Sequence, residues 1–183
     1  MPLLCPPEVA TALNSVDQLR ALHEASPIDL DMPYSATISD IWDPSHALED
    51  TENPRLIFAC ARAGRAEVVR FIGERLIKEG RSPHTQNRFG DTPCSSAASS
   101  GHESCIRALD ELGADPNQAN NDGATPCIIA AQLGHESCVR ALVELGAGTN
   151  QAASDGATPC IIAAWAGHEL LSLIHISEPT RPH

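Results

Sequence analysis

A 33-residue repeat constrains this chain more than any other feature of its sequence. Residues 89–121 and 122–154 are identical at 21 of 33 positions without a gap. A third copy begins at Asp155, where DGATPCIIAAWAGHE repeats DGATPCIIAAQLGHE at 13 of 15 positions, and a more divergent copy occupies residues 55–88. A period of this length marks an array of supersecondary units, each too small to bury its apolar side alone and each burying it against the next.

Within a copy the residues predict two helices. Thr92, Thr125 and Thr158 can N-cap a helix whose first residue is Pro93, Pro126 or Pro159, because proline there lacks only an N–H that would be unpaired anyway and has its φ already set. Alanine pairs (Ala97 and Ala98, Ala130 and Ala131, Ala163 and Ala164) favour helix, and Gly101, Gly134 and Gly167 supply the residue that stops it. A second helix is expected over HESCIRALDELG and HESCVRALVELG, with Cys105, Ile106, Leu109 and Leu112, and then Cys138, Val139, Leu142 and Leu145, on one buried face. Glu103 with Arg107 and Glu136 with Arg140 stand i, i+4 on the wet side. Gly113 and Gly146 end that helix, and DPNQANNDG or GTNQAASDG reverses the chain. The fold class so read is all-α, a stack of helix-turn-helix units joined by hairpin loops.

The two full copies, GDTPCSSAASSGHESCIRALDELGADPN and GATPCIIAAQLGHESCVRALVELGAGTN, resemble the ankyrin repeat in period, TP start, AA pair, GH turn and GA exit. The resemblance covers residues 55–170 and implies an ankyrin-repeat solenoid. It also implies a partner-binding surface made of hairpin tips and the exposed side of the first helices. In this chain that surface is Arg62, Ser99, Ser100, Gln118, Asn120, Asn121, Asp122, Ile129, Gln132, Leu133, Gln151, Ser154, Asp155, Ile162 and Trp165. Ile129, Leu133, Ile162 and Trp165 are then expected to form an apolar patch, with contact to a further repeat as the alternative. The family's TPLH is TPCS at Thr92–Ser95 and TPCI in the next two copies, so the hydrogen bonds of that histidine between neighbouring repeats are expected to be missing.

The copy over residues 55–88 keeps Gly64 as a helix stop and an apolar second helix (Val68, Val69, Ile72, Leu76) but lacks TP, and reads as a cap with a charged outer face. Its glycines, Gly64 and Gly80, are 16 residues apart where Gly101 and Gly113 are 12 apart, so its second helix should carry one extra turn. Residues 1–25 can form an amphipathic helix through Val9, Leu13, Val16, Leu19 and Leu22. Residues 26–54, rich in Pro, Asp and Ser, read as an acidic linker. Identity to the preceding copy stops at Leu170. Beyond it, LSLIHISEPTRP resembles the in-frame translation of a sequencing-library adapter, so residues 171–183 are read as an artefactual tail and 155–170 as a truncated repeat.

Charge narrows the partners. The formal net charge is −12, divided as −9 over residues 1–54, +5 over 55–88, −8 over 89–170 and zero over 171–183. An acidic chain with six aromatic residues and no long apolar run speaks against nucleic acid and membrane as partners. No basic start followed by an apolar stretch and cleavage site is present. With seven cysteines, five of them at repeated positions, this points to a reducing compartment, cytoplasm or nucleus. The pairs Cys94 with His102, Cys127 with His135 and Cys160 with His168 recur at the same offset, which marks architecture, since an enzyme needs one site and not three copies. No catalytic residue, metal ligand or cofactor is therefore assigned. The expected partner is another protein, with the chain monomeric or self-associating through its uncapped C-terminal end. The expected role is a non-catalytic interaction scaffold, the alternative being the targeting module of a larger enzyme or channel whose catalytic part would follow Leu170.

Overall fold

The computed structural model describes residues 56–168 together with Leu3–Leu4, Asp17 and Tyr34–Ser35. Strands β1 (Leu3–Leu4) and β2 (Tyr34–Ser35) pair in parallel, Leu3 opposite Tyr34 and Leu4 opposite Ser35. The sequence did not announce this pairing, because two residues are too few to display an alternating pattern. Asp17, inside the predicted amphipathic helix, is helical and exposed. The rest of that helix, the rest of the linker and the adapter-like tail lie outside the described residues.

The array is all-helical. Its first helices are α1 (Leu56–Arg62), α3 (Pro93–Ser99), α5 (Pro126–Gln132) and α7 (Pro159–Trp165). Its second helices are α2 (Ala66–Lys78), α4 (Glu103–Glu111) and α6 (Glu136–Glu144). First helices pack on first helices and second on second, giving two parallel layers with the core between them. Helix α2 has 13 residues against nine in α4, the extra turn that the glycine spacing predicts.

Helix starts follow the local chemistry. The Thr92 hydroxyl accepts from Ser95 N at 3.1 Å, and Ser95 Oγ accepts from Thr92 N at 2.9 Å, a reciprocal cap. Thr125 and Thr158 accept from Ile128 N and Ile161 N at 3.3 and 3.4 Å. There isoleucine replaces Ser95, so the second arm of the cap is exchanged for apolar area. Because Thr125 is 1% exposed, Thr125→Ala leaves a buried N–H unpaired. It is expected to lower stability by about 1–2 kcal/mol, with Thr125→Ser restoring most of it, as read by urea denaturation.

The second helices bury Cys105, Ile106, Ala108 and Leu109, and Cys138, Val139, Ala141 and Leu142. Leu112 and Leu145 depart from the expectation. They are half-buried C-cap residues at the edge of the core, while Ala108 and Ala141 take the interior. At the cap the chain is already leaving the layer. Leu112 packs so closely on α2 that a Cβ on Gly73 would meet its Cδ1 at 2.2 Å.

Without the TPLH histidine, neighbouring units are tied by other groups. His135 Nε2 donates to the Ser99 carbonyl at 3.1 Å, its ring lying where a Cβ on Gly101 (φ +75) would stand. His84 donates to Leu112 O at 2.9 Å. One unit on, Asn117 does the same to Gly146 O at 3.1 Å and also accepts from Gly148 N at 2.7 Å. On the outer layer Arg70 bridges Glu67 and Glu111, holding the Glu111 carboxyl below its usual range, and Arg107 bridges Glu103 and Glu144.

Candidate protein-binding surface

Three hairpin tips stand in register. Phe89, Asp122 and Asp155 occupy one position, and Arg88, Asn121 and Ser154 the position before it. Backbone bonds hold them in a row: Asn121 N donates to Phe89 O at 2.9 Å and Ser154 N to Asp122 O at 3.1 Å. The close approach is why residue 123 is glycine. Its φ is +76, and a Cβ there would lie 2.8 Å from Ser154 N.

A cleft of about 830 Å³ opens between these tips and the first helices. From the hairpins, Asn120, Asn121, Asp122, Ser154 and Asp155 line it; from α5 and α7, Ile129, Gln132, Ile162 and Trp165 do. Arg62, Ser99, Ser100, Gln118, Leu133 and Gln151 do not reach it. Of these, Arg62, Ser99, Ser100 and Gln118 are half-buried, and Leu133 and Gln151 are exposed.

Several of the residues read as binding positions are tied up internally, Ser99 through its hydroxyl to Ser96 O at 2.9 Å among them. Asn120 Oδ1 accepts from Asp122 N and Ala124 N at 3.1 and 3.0 Å, while its amide donates to Asp91 at 3.0 Å, so this side chain shapes the hairpin. Asn121 donates through Nδ2 to Arg88 O at 2.9 Å. Sequence reasoning missed Phe89, a tip residue 46% exposed with Arg88 over its ring at 4.4 Å. The 33-residue alignment with Asp122 and Asp155 was the signal that could have found it.

Register also separates the binding face from the end of the array. Ile128 is 1% exposed and its equivalent Ile161 is 42% exposed, because α5 has a first helix packed on each side and α7, among the described residues, has one on one side only. Exposure of Ile161 is thus an end effect. Arg62, Ser99, Gln132 and Trp165 are the last residues of successive first helices. Gln132 is exposed although α5 is flanked on both sides. Ile129 and Ile162 are both half-buried, with or without a following unit.

Chemistry at four of the repeated cysteines is muted. Cys94 and Cys127 are buried free thiols, and burial pushes both up to about 12; burial raises Cys105 and Cys138 to about 11. Such thiols are protonated at neutral pH and are poor nucleophiles and ligands. Among the described residues no group of three or more His, Cys, Asp or Glu is placed to hold a metal ion. No described helix is long and apolar enough to cross a membrane.

These features define a class: a repeat solenoid that presents a ridge of hairpin tips beside a row of helices. Residues 89–121 match the family model for the ankyrin repeat, and residues 111–179 match the one described as ankyrin repeats (3 copies), a span that runs on into the adapter-like segment. The chain carries ankyrin repeats over residues 89–179. Such repeats are generally protein–protein interaction modules and typically non-catalytic. A comparison with curated proteins finds no match.

Proposed function

We propose that this chain is a non-catalytic protein-interaction scaffold of the cytoplasm or nucleus that engages its partner through the hairpin tips and the exposed face of the first helices. The observation that carries the reading is Trp165, 75% exposed in a register whose preceding member, Gln132, is exposed even where neighbours flank its helix. Arg62 and Ser99 in the same register are half-buried, so the register stays open to solvent along the array and is most open at Gln132 and Trp165. Ile129 and Ile162 beside it add apolar surface, and a tryptophan so flanked is the kind of residue that dominates binding energy. Absence of catalysis is supported by protonated, repeated core thiols, and a reducing compartment by the same free cysteines.

The test is affinity capture with identification of the bound protein. Retention of that protein should fall about tenfold or more with Trp165→Ala and measurably with Ile129→Ala. Ile77→Ala, exposed on α2 of the outer layer, should leave it unchanged. Equal retention by all three variants would remove the proposed face.

A further inference from the structure

We propose that the cleft takes a basic segment of the partner carrying arginines at i and i+3. One guanidinium would lie on the Trp165 indole, and the pair would face the Asp122 and Asp155 carboxylates. This rests on the scaffold reading and gives its partner a chemistry.

Charge is the first argument. No Lys, Arg or His is among the described residues lining the cleft. The Asp122 carboxylate has no partner among the described residues. Asp155 gives one oxygen to Ala157 N at 2.9 Å, leaving the other without a partner among the described residues. The outer layer behaves differently, since Glu67, Glu103, Glu111, Glu136 and Glu144 are all paired with Arg70, Arg107 or Arg140. Most acid charge on the second helices is thus paired, Glu74 and Asp110 excepted, whereas both tip carboxylates that line the cleft are left open, in a stretch, residues 89–170, of net charge −8. Phosphorylated or otherwise anionic ligands are repelled there, and a cationic one is drawn in.

Shape selects the cation. The same cleft is lined on the helix side by Ile129, Ile162 and the exposed Trp165. A guanidinium stacks on an indole, is weakly hydrated and pairs with carboxylate through a fork, whereas an ammonium prefers to keep its water. Asp122 and Asp155 stand one repeat apart, on tips joined by the Ser154 N to Asp122 O bond and carried by first helices about 8–10 Å apart by ordinary helix packing. That is too far for one fork, but it matches the roughly 9 Å between residues i and i+3 of a polyproline II segment, which share a face. Apolar residues between the arginines would then rest on the two isoleucines.

The probe is a fluorescein-labelled peptide, Gly-Arg-Leu-Pro-Arg-Leu-Gly, with versions carrying lysine or glutamate in place of both arginines, read by anisotropy at low and high salt. The arginine peptide should bind, the lysine peptide more weakly and the glutamate peptide not at all. Asp122→Asn combined with Asp155→Asn keeps the shape and the Ala157 bond. It should weaken binding at least tenfold at low salt and flatten the salt dependence. Trp165→Ala should cost the arginine peptide more than the lysine peptide. Unchanged binding in the double variant, or equal binding of the glutamate peptide, would overturn the proposal. So would self-association of the chain that vanishes in the double variant, which would put the chain's own basic block in the cleft. The two readings fail separately. Partner capture that needs Trp165 but ignores the double variant leaves the scaffold standing and removes the arginines; capture indifferent to Trp165 removes the face itself.

Discussion

Raising the pH from 8 to 10 is expected to cost this protein about 3 kcal/mol of stability through two thiols alone. Burial in the layer between neighbouring helices raises Cys94 and Cys127 from 9.0 to about 12. Below pH 9 both folded and unfolded chains hold the thiol proton, so the stability is fully present. Above pH 9 the unfolded chain releases it and the folded chain does not. Unfolding therefore gains about 1.4 kcal/mol per thiol for each pH unit, until the folded thiols titrate near 12. Cys105 and Cys138, raised to about 11, act in the same direction. Against a typical total of about 5–15 kcal/mol the loss is large. Urea denaturation midpoints at pH 8, 9 and 10 measure it, and a Cys94→Ala, Cys127→Ala double variant should show a shallower decline. Parallel declines in the two proteins would show that the thiols are not its source.

Leu109→Ala is expected to destabilise the array by about 2–5 kcal/mol. Leu109 is fully buried in α4, whose neighbours in the second layer are α2 on one side and α6 on the other. Truncation opens a cavity that closes only if both interfaces shift. In an array stabilised by nearest-neighbour contacts, a defect in a flanked unit weakens two interfaces at once. Leu142 is equally buried in α6, which among the described residues meets α4 alone in that layer, so Leu142→Ala should cost less. Urea denaturation of the two variants gives the order. A smaller loss for Leu109→Ala than for Leu142→Ala would contradict the assignment of contacts.

Legibility followed the range of the interactions. The Thr–Pro starts, the stopping glycines and the i, i+4 pairs Glu103 with Arg107 and Glu136 with Arg140 were readable because each depends on residues within about one turn of one another, and the extra turn of α2 because it needs only the spacing of two such glycines. Leu112 and Leu145 pack on the core as read but are only half-buried, because a heptad-like spacing marks a helix face and not where the neighbouring layer ends. Asn120, read as a binding residue, spends its amide on its own hairpin and on Asp91 of the one before. That contact joins residues 29 positions apart and leaves no trace in local pattern.

The amino-acid order alone determined the unit, its period and the two helices in it, because caps, glycine φ and apolar spacing are set by covalent geometry and nearby atoms. Tertiary structure decided which exposed groups share a surface. Stacking brings the Asp122 and Asp155 tips to one rim and places Trp165 in the lining of the same cleft. It also distinguishes the solvent seen by Ile161, which a neighbour would cover, from the solvent seen by Gln132, which a neighbour does not. Burial is a property of the layer that lies over a residue, and that layer comes from another part of the chain.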